Sequence, residues 1–176
     1  MIKLLIVDDE RTIRNGLARH IDWESLGVGM VESAESAQEA LEICERIRPD
    51  IVLSDIRMRG MGGVEMCAEL RKAYPECQII FVSGYADKEY LKAAISLGAV
   101  DYIEKPVCPE LLEEAVKKAI AACEEQQRMA LADETIAKNR GLIGQIVLHA
   151  LAYNDYPENF EKSMEISGLF PREFDM

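Results

Sequence analysis

Apolar residues recur along this chain in two rhythms. Short, largely apolar runs at 2–7, 51–54 and 78–82 stop abruptly at Asp8, Asp55 and Ser83. Runs of this length suit strands buried on both faces of a parallel sheet. A weaker strand is expected at 28–32, and another at 100–104, closed by Lys105-Pro106. Between these runs the spacing turns helical. From about 11 to 20, Ile13 and Leu17 share a face with Ile21. Ser36-Ala-Gln-Glu39 forms a capping box, in which Ser36 accepts from the Glu39 amide and Glu39 reaches back. Behind it Ala37, Ala40, Leu41, Cys44 and Ile47 make an apolar stripe, which Pro49 ends. Gly60, Gly62 and Gly63 precede a helix at 64–74. Asp87 can cap another that runs to Leu97, with Gly98 as its stop. Pro109 opens the fifth, whose buried face is expected to be Leu111, Leu112, Ala115, Val116 and Ala119.

Five strands alternating with five helices predict an α/β fold, a five-stranded parallel sheet with helices on both faces and right-handed crossovers. This domain is expected to span 1–122. Residues 123–176 read as a helical C-terminal extension: 124–140 is polar and continues the fifth helix, and a heptad seam fades after Cys123. The stretch 141–151 is apolar enough to need burial, against the domain or a partner chain. Residues 153–176 are expected to form a short helix with irregular ends.

Composition narrows the function. The net charge is -12, with 32 acidic residues against 20 basic ones, which argues against a grip on phosphate backbones by this chain alone. Five cysteines, with no CxxC spacing, read as reduced core residues. No signal peptide opens the chain, and nothing approaches the ~18 apolar residues of a membrane span. A cytoplasmic location is expected. Trp23 should pack over the sheet edge, and His20 should lie at the surface.

Asp55 by itself could merely start a turn. Its weight comes from the sheet. In the order 2-1-3-4-5 (the flavodoxin-like order), strands one and three meet where strand order reverses, and ligands bind beyond their carboxyl ends. That order brings Asp8, Asp9 and Asp55 to one edge, with Ser83 and Lys105 completing the rim. Three carboxylates within about 5 Å repel by roughly 3 kcal/mol per pair at an effective dielectric of 20. Such a site needs a cation. Oxygen ligands with no Cys or His at hand favour Mg²⁺ over zinc. A carboxylate nucleophile, a divalent ion and an ammonium are what in-line phosphoryl transfer to an aspartate requires.

The series Leu-Leu-Ile-Val-Asp-Asp-Glu10, Asp-Ile-Val-Leu-Ser-Asp55, Val-Ser83-Gly84 and Asp-Tyr102-Ile-Glu-Lys105-Pro106 resembles the receiver domain of two-component response regulators. The resemblance covers 1 to about 122. It implies that Asp55 accepts a phosphoryl group from a sensor histidine kinase. It implies that Asp8, Asp9, Asp55 and the Arg57 backbone carbonyl serve Mg²⁺. Lys105 would pair with the acidic cluster and then with the phosphoryl group, Ser83 would donate its hydroxyl, and Tyr102 would swing inward. The Lys105-Pro106 bond is expected to be cis.

Two places depart from the family's habit. Arg59 and Gly62 stand where it often has proline and aspartate, and neither is expected to supply chemistry. The Asp22-Trp-Glu-Ser-Leu-Gly27 segment and the Ser83-Gly-Tyr region resemble the YesN-like subgroup, whose helical linker leads to an AraC-type DNA-binding domain. No such output domain is recognisable here, so either the chain is truncated or its output is another contact. DNA would be reached only through a domain not present in this chain. The resemblance further implies a homodimer through helix four, strand five and helix five, extended by the linker helix, and a role in transcription regulation. An enzyme with turnover is not expected. A haloacid-dehalogenase-like phosphatase would carry DxD on the first strand, whereas Asp8 and Asp9 are adjacent. The remaining alternative is a degenerate receiver, a docking module that works without phosphorylation.

Overall fold

A computed structural model of the chain describes residues 1–84 and 88–153, with side chains described as far as Arg140 except Asn139. Its elements follow in the order β1 (Ile2–Val7), α1 (Arg11–His20), β2 (Val28–Ala34), α2 (Ala37–Ile47), β3 (Ile51–Asp55), α3 (Gly63–Ala73), β4 (Gln78–Ser83), α4 (Lys88–Ser96), β5 (Asp101–Glu104) and α5 (Pro109–Tyr153). The chain divides into two compact units, the first ending at Gln126.

All strands pair in parallel, in the order β2-β1-β3-β4-β5. The three inner strands carry the largely apolar runs because both their faces are covered. Alternate residues feed two cores. Leu5, Val7, Val52, Ile79 and Phe81 pack against α2 and α3 through Ala40, Cys44, Met66 and Leu70. Leu4, Ile6, Ile51, Leu53, Ile80 and Val82 face Leu17 of α1 and Leu112, Val116 and Ala119 of α5. Trp23 closes the second core beside Val28, buried, with its indole N–H donating to the Leu17 carbonyl at 3.1 Å. His20 is exposed.

Several local expectations shift. β2 runs on to Ala34, and β3 takes in Asp55. At the α2 cap Ser36 accepts from the Glu39 amide, but the Glu39 carboxylate reaches the Glu35 amide at 2.7 Å, one residue beyond the cap. On α2 Ile43 is buried, while Leu41 and Ile47 are only partly so. Leu111 is 56% exposed, so it leaves the expected α5 face. A helix turns about 100° per residue, and with Leu112, Ala115, Val116, Ala119 and Cys123 on the sheet, Leu111 falls outside that stripe. Gly98 does stop α4, at φ +64°. The expected cap at Asp87 and the expected elements at 154–176 lie outside the described residues, as do the side chains of 141–151. α5 itself continues unbroken to Tyr153.

Four cysteines are buried, Cys108 is half-buried, and all five are free. Burial pushes the thiols of Cys44 and Cys123 up to about 11 and that of Cys67 to about 12. Such thiols stay protonated and unreactive at neutral pH.

Candidate phosphoryl-acceptor site

The strand ends of β1 and β3 are adjacent, with Val7 beside Ser54. Asp8 and Asp9 leave the end of β1, and Asp55 closes β3. One carboxylate oxygen from each of these three residues lies within 4.8 Å of the other two. Asp8 and Asp55 are buried, and Asp9 is half-buried. The order reversal between β1 and β3 therefore does what its position in the fold predicts, and collects charge at one edge.

Backbone geometry fixes each carboxylate. Asp8 Oδ1 accepts from the Glu10 amide at 2.8 Å, and the Asp8 carbonyl accepts from Arg14 Nη1 at 2.7 Å. Asp55 Oδ1 accepts from the Arg57 amide at 3.2 Å, and the Ile56 amide donates to Val82 on β4. The turn after Asp55 is held by Gly63, whose amide donates to the Ile56 carbonyl at 2.9 Å. A Cβ at Gly63 would overlap the Asp55 carbonyl and the Ser54 hydroxyl. This position needs glycine for close approach, at the residue that starts α3.

Lys105 reaches in from the end of β5. Its ammonium donates to Asp8 Oδ2 at 2.9 Å and to Asp55 Oδ2 at 2.7 Å. The Lys105 amide donates to the Ser83 carbonyl, and the Lys105-Pro106 bond is cis. Burial alone would lower the Lys105 pKa, but hydrogen bonds and charge from Asp55 and Asp8 outweigh it and hold the ammonium above its ordinary value. Asp8 moves the other way from a salt-bridged carboxylate. Its loss of solvent raises the pKa above 3.8 despite Lys105 and the Glu10 amide, and the nearby Asp55 charge adds to the rise. An oxygen-only donor set with excess negative charge and partial desolvation fits a hard divalent cation such as Mg²⁺.

Ser83 ends β4, buried, beside Glu104 of β5. Tyr102 is half-buried on β5 and pairs with Phe81. All seven residues singled out in the sequence thus lie at or next to the strand ends of β1, β3, β4 and β5. Two relationships were not legible there. The Arg57 side chain lies over the Tyr90 ring, its guanidinium carbon 5.8 Å from the centroid and its Nε donating to the Tyr90 hydroxyl at 3.3 Å. Arg59, set aside as chemically idle, donates to Asp9 Oδ2 from both its backbone amide (3.2 Å) and its Nε (3.3 Å). No periodicity or motif signals either contact, because both depend on the path of the β3–α3 loop.

The fold is thus a doubly wound α/β domain with an acidic cluster and a lysine gathered at its switch point. The chain belongs to the response regulator receiver domain family, whose pattern matches residues 4–117. It is 32% identical over 171 residues to the uncharacterized transcriptional regulatory protein YesN of Bacillus subtilis, a match that covers 96% of this chain and 42% of YesN. It is 36% identical to the transcriptional regulatory protein HptR of Staphylococcus aureus, over 72% of this chain and 50% of HptR. The chain thus spans about half the length of the curated relatives it matches. Among solved structures it resembles a two component transcriptional regulator AraC from Clostridium phytofermentans, with 40% identity and a TM-score of 0.68. The REC domain of AraT, a response regulator from Geobacillus stearothermophilus, is similar at 37% identity and a TM-score of 0.67. Each of these two matches covers 72% of this chain and 98% of the other. No helix among the described residues is long and apolar enough to cross a membrane.

Proposed function

We propose that this receiver is a phospho-accepting switch of a two-component system. The observation that carries the reading is the Lys105 ammonium bridging Asp8 and Asp55, with Asp9 alongside, at the sheet's switch point. An Asp55 carboxylate oxygen attacks the phosphorus of a phosphohistidine on a sensor kinase. The P–N bond breaks, the imidazole leaves, and an aspartyl phosphate remains on Asp55. Asp8, Asp9, Asp55 and the Arg57 carbonyl would hold Mg²⁺, which supplies neutralising charge for the phosphoryl oxygens. Lys105 exchanges its contact with the Asp55 carboxylate for one with the phosphoryl group, and the Ser83 hydroxyl donates to a phosphoryl oxygen. Tyr102 follows inward.

The output is a change in self-association. Tyr102 lines a groove of about 580 Å³ between α4 and β5, together with Leu91, Ile95 and Val100. Ile95 is 70% exposed and Leu91 45%, apolar surface in keeping with a homodimer through α4, β5 and α5. The YesN match runs past the receiver into the helical extension, which supports reading 123–176 as a linker. DNA would then be reached through an output domain beyond this chain, with transcription regulation as the result, in the cytoplasm. Beyond slow self-dephosphorylation, no turnover of phosphate monoesters is expected. Incubation with Mg²⁺ and acetyl phosphate should label the protein once, on Asp55. No labelling, or labelling that persists in Asp55→Asn, would overturn the reading and leave the docking module.

A further inference from the structure

The three site carboxylates share two cations unequally. Lys105 touches Asp8 and Asp55 but makes no hydrogen bond or ion pair with Asp9. Asp9 is instead served by Arg59, whose backbone amide and Nε both donate to Oδ2. A carboxylate oxygen has two lone-pair directions, so these two donors fill Oδ2. The Arg59 side chain is 90% exposed, whereas that of Asp9 is 19% exposed. Water is therefore available to the guanidinium the moment it lets go, and only Asp9 would be left in need of a cation.

We infer that the Arg59 side chain is a resident counterion of Asp9 that a divalent metal displaces, so that Arg59 lowers the metal affinity of the site. The proposal rests on the metal-binding reading given above. With the guanidinium kept on Asp9, a metal-loaded cluster would carry one net positive charge; with it released to solvent, the cluster is neutral. Two cations on one carboxylate also repel each other, and release returns rotamer freedom to a long side chain. The backbone amide of Arg59 can keep its own bond to Asp9 in either state. Because the displaced pair is solvent-exposed, the effect is modest, about two- to fivefold in affinity.

Calorimetric titration of the full chain with MgCl₂ tests this at low ionic strength. Arg59→Ala is expected to bind Mg²⁺ about two- to fivefold more tightly than wild type, and to melt in EDTA no higher than wild type, because the lost pair belongs to the metal-free state. In the ¹H–¹⁵N spectrum of wild type, the Arg59 Nε–H signal is expected to shift and exchange faster with water once Mg²⁺ saturates the site. Equal or weaker binding by Arg59→Ala overturns the proposal and leaves the metal site intact. An Nε–H signal that Mg²⁺ leaves in place does the same. Absence of Mg²⁺ binding by wild type overturns the metal-site reading, and the proposal with it.

Discussion

Lys105 and Asp55, fifty residues apart in the chain, meet at 2.7 Å, and the same ammonium holds Asp8 at 2.9 Å. The three side chains are 16%, 7% and 2% exposed, so this bridge is shielded where most surface pairs are not. Removing the ammonium leaves two close carboxylates without their shared cation. Lys105→Ala should cost about 2 kcal/mol of stability in EDTA, measured by urea unfolding at pH 7. Because the folded-state pKa of Lys105 is raised, its contribution is complete at neutral pH and fades only above 10.5. Mg²⁺ should restore part of the loss; a loss that Mg²⁺ leaves untouched would argue against a metal at this cluster.

Asp8 has the opposite linkage. Its folded pKa stands above 3.8, so its contribution favours the fold below that value and is lost as pH rises through the folded pKa. At pH 7 the ionised side chain is a burden on the metal-free protein. Asp8→Asn should therefore melt higher than wild type in EDTA at pH 7, with the gain shrinking as the pH falls toward 3.8. A lower melting temperature at pH 7 would refute this.

Gly63 is a steric requirement of the acceptor loop. Gly63→Ala would place a methyl group into the Ser54 hydroxyl and the Asp55 carbonyl, and the latter is backbone that cannot move aside. Urea unfolding should show a loss of about 2–3 kcal/mol. Acetyl phosphate labelling of Asp55 should slow as well, because the same carbonyl belongs to the acceptor residue.

If Asp55 carries a phosphoryl group, the contact between Arg57 and Tyr90 is expected to lengthen its lifetime. The guanidinium of Arg57, two residues along the chain from Asp55, rests on the Tyr90 ring. It is expected to hinder water attacking an aspartyl phosphate there. Arg57→Ala should speed decay of the aspartyl phosphate about two- to fivefold, in line with an exposed cation–π contact of about 0.5–1 kcal/mol. Tyr90→Phe keeps the ring but loses the hydroxyl acceptor, so a smaller change of the same sign is expected. Equal decay in wild type and Arg57→Ala would remove Arg57 from this role.

The alternation of strands and helices and the parallel sheet are readable from the amino-acid pattern alone. Unbroken apolar runs such as Ile51–Leu53 have no polar face to offer solvent, and helical spacing intervenes between them. The same pattern also picked out the candidate site residues, because Asp8, Asp55, Ser83 and Lys105 each interrupt or follow such a run at a strand end. Tertiary structure decided what those residues do to one another. Lys105 binds Asp8 and Asp55 and leaves Asp9 to Arg59, a division set by loop paths after β3 and β5 that no spacing rule encodes. The same holds for Leu111, where hydrophobicity suggested burial and the rotation of α5 against the sheet exposed it. Local pattern fixes which elements form, since it reports the faces a segment must bury. Contacts between side chains from distant strand ends depend on how those elements dock, and their partners are not written in either segment alone.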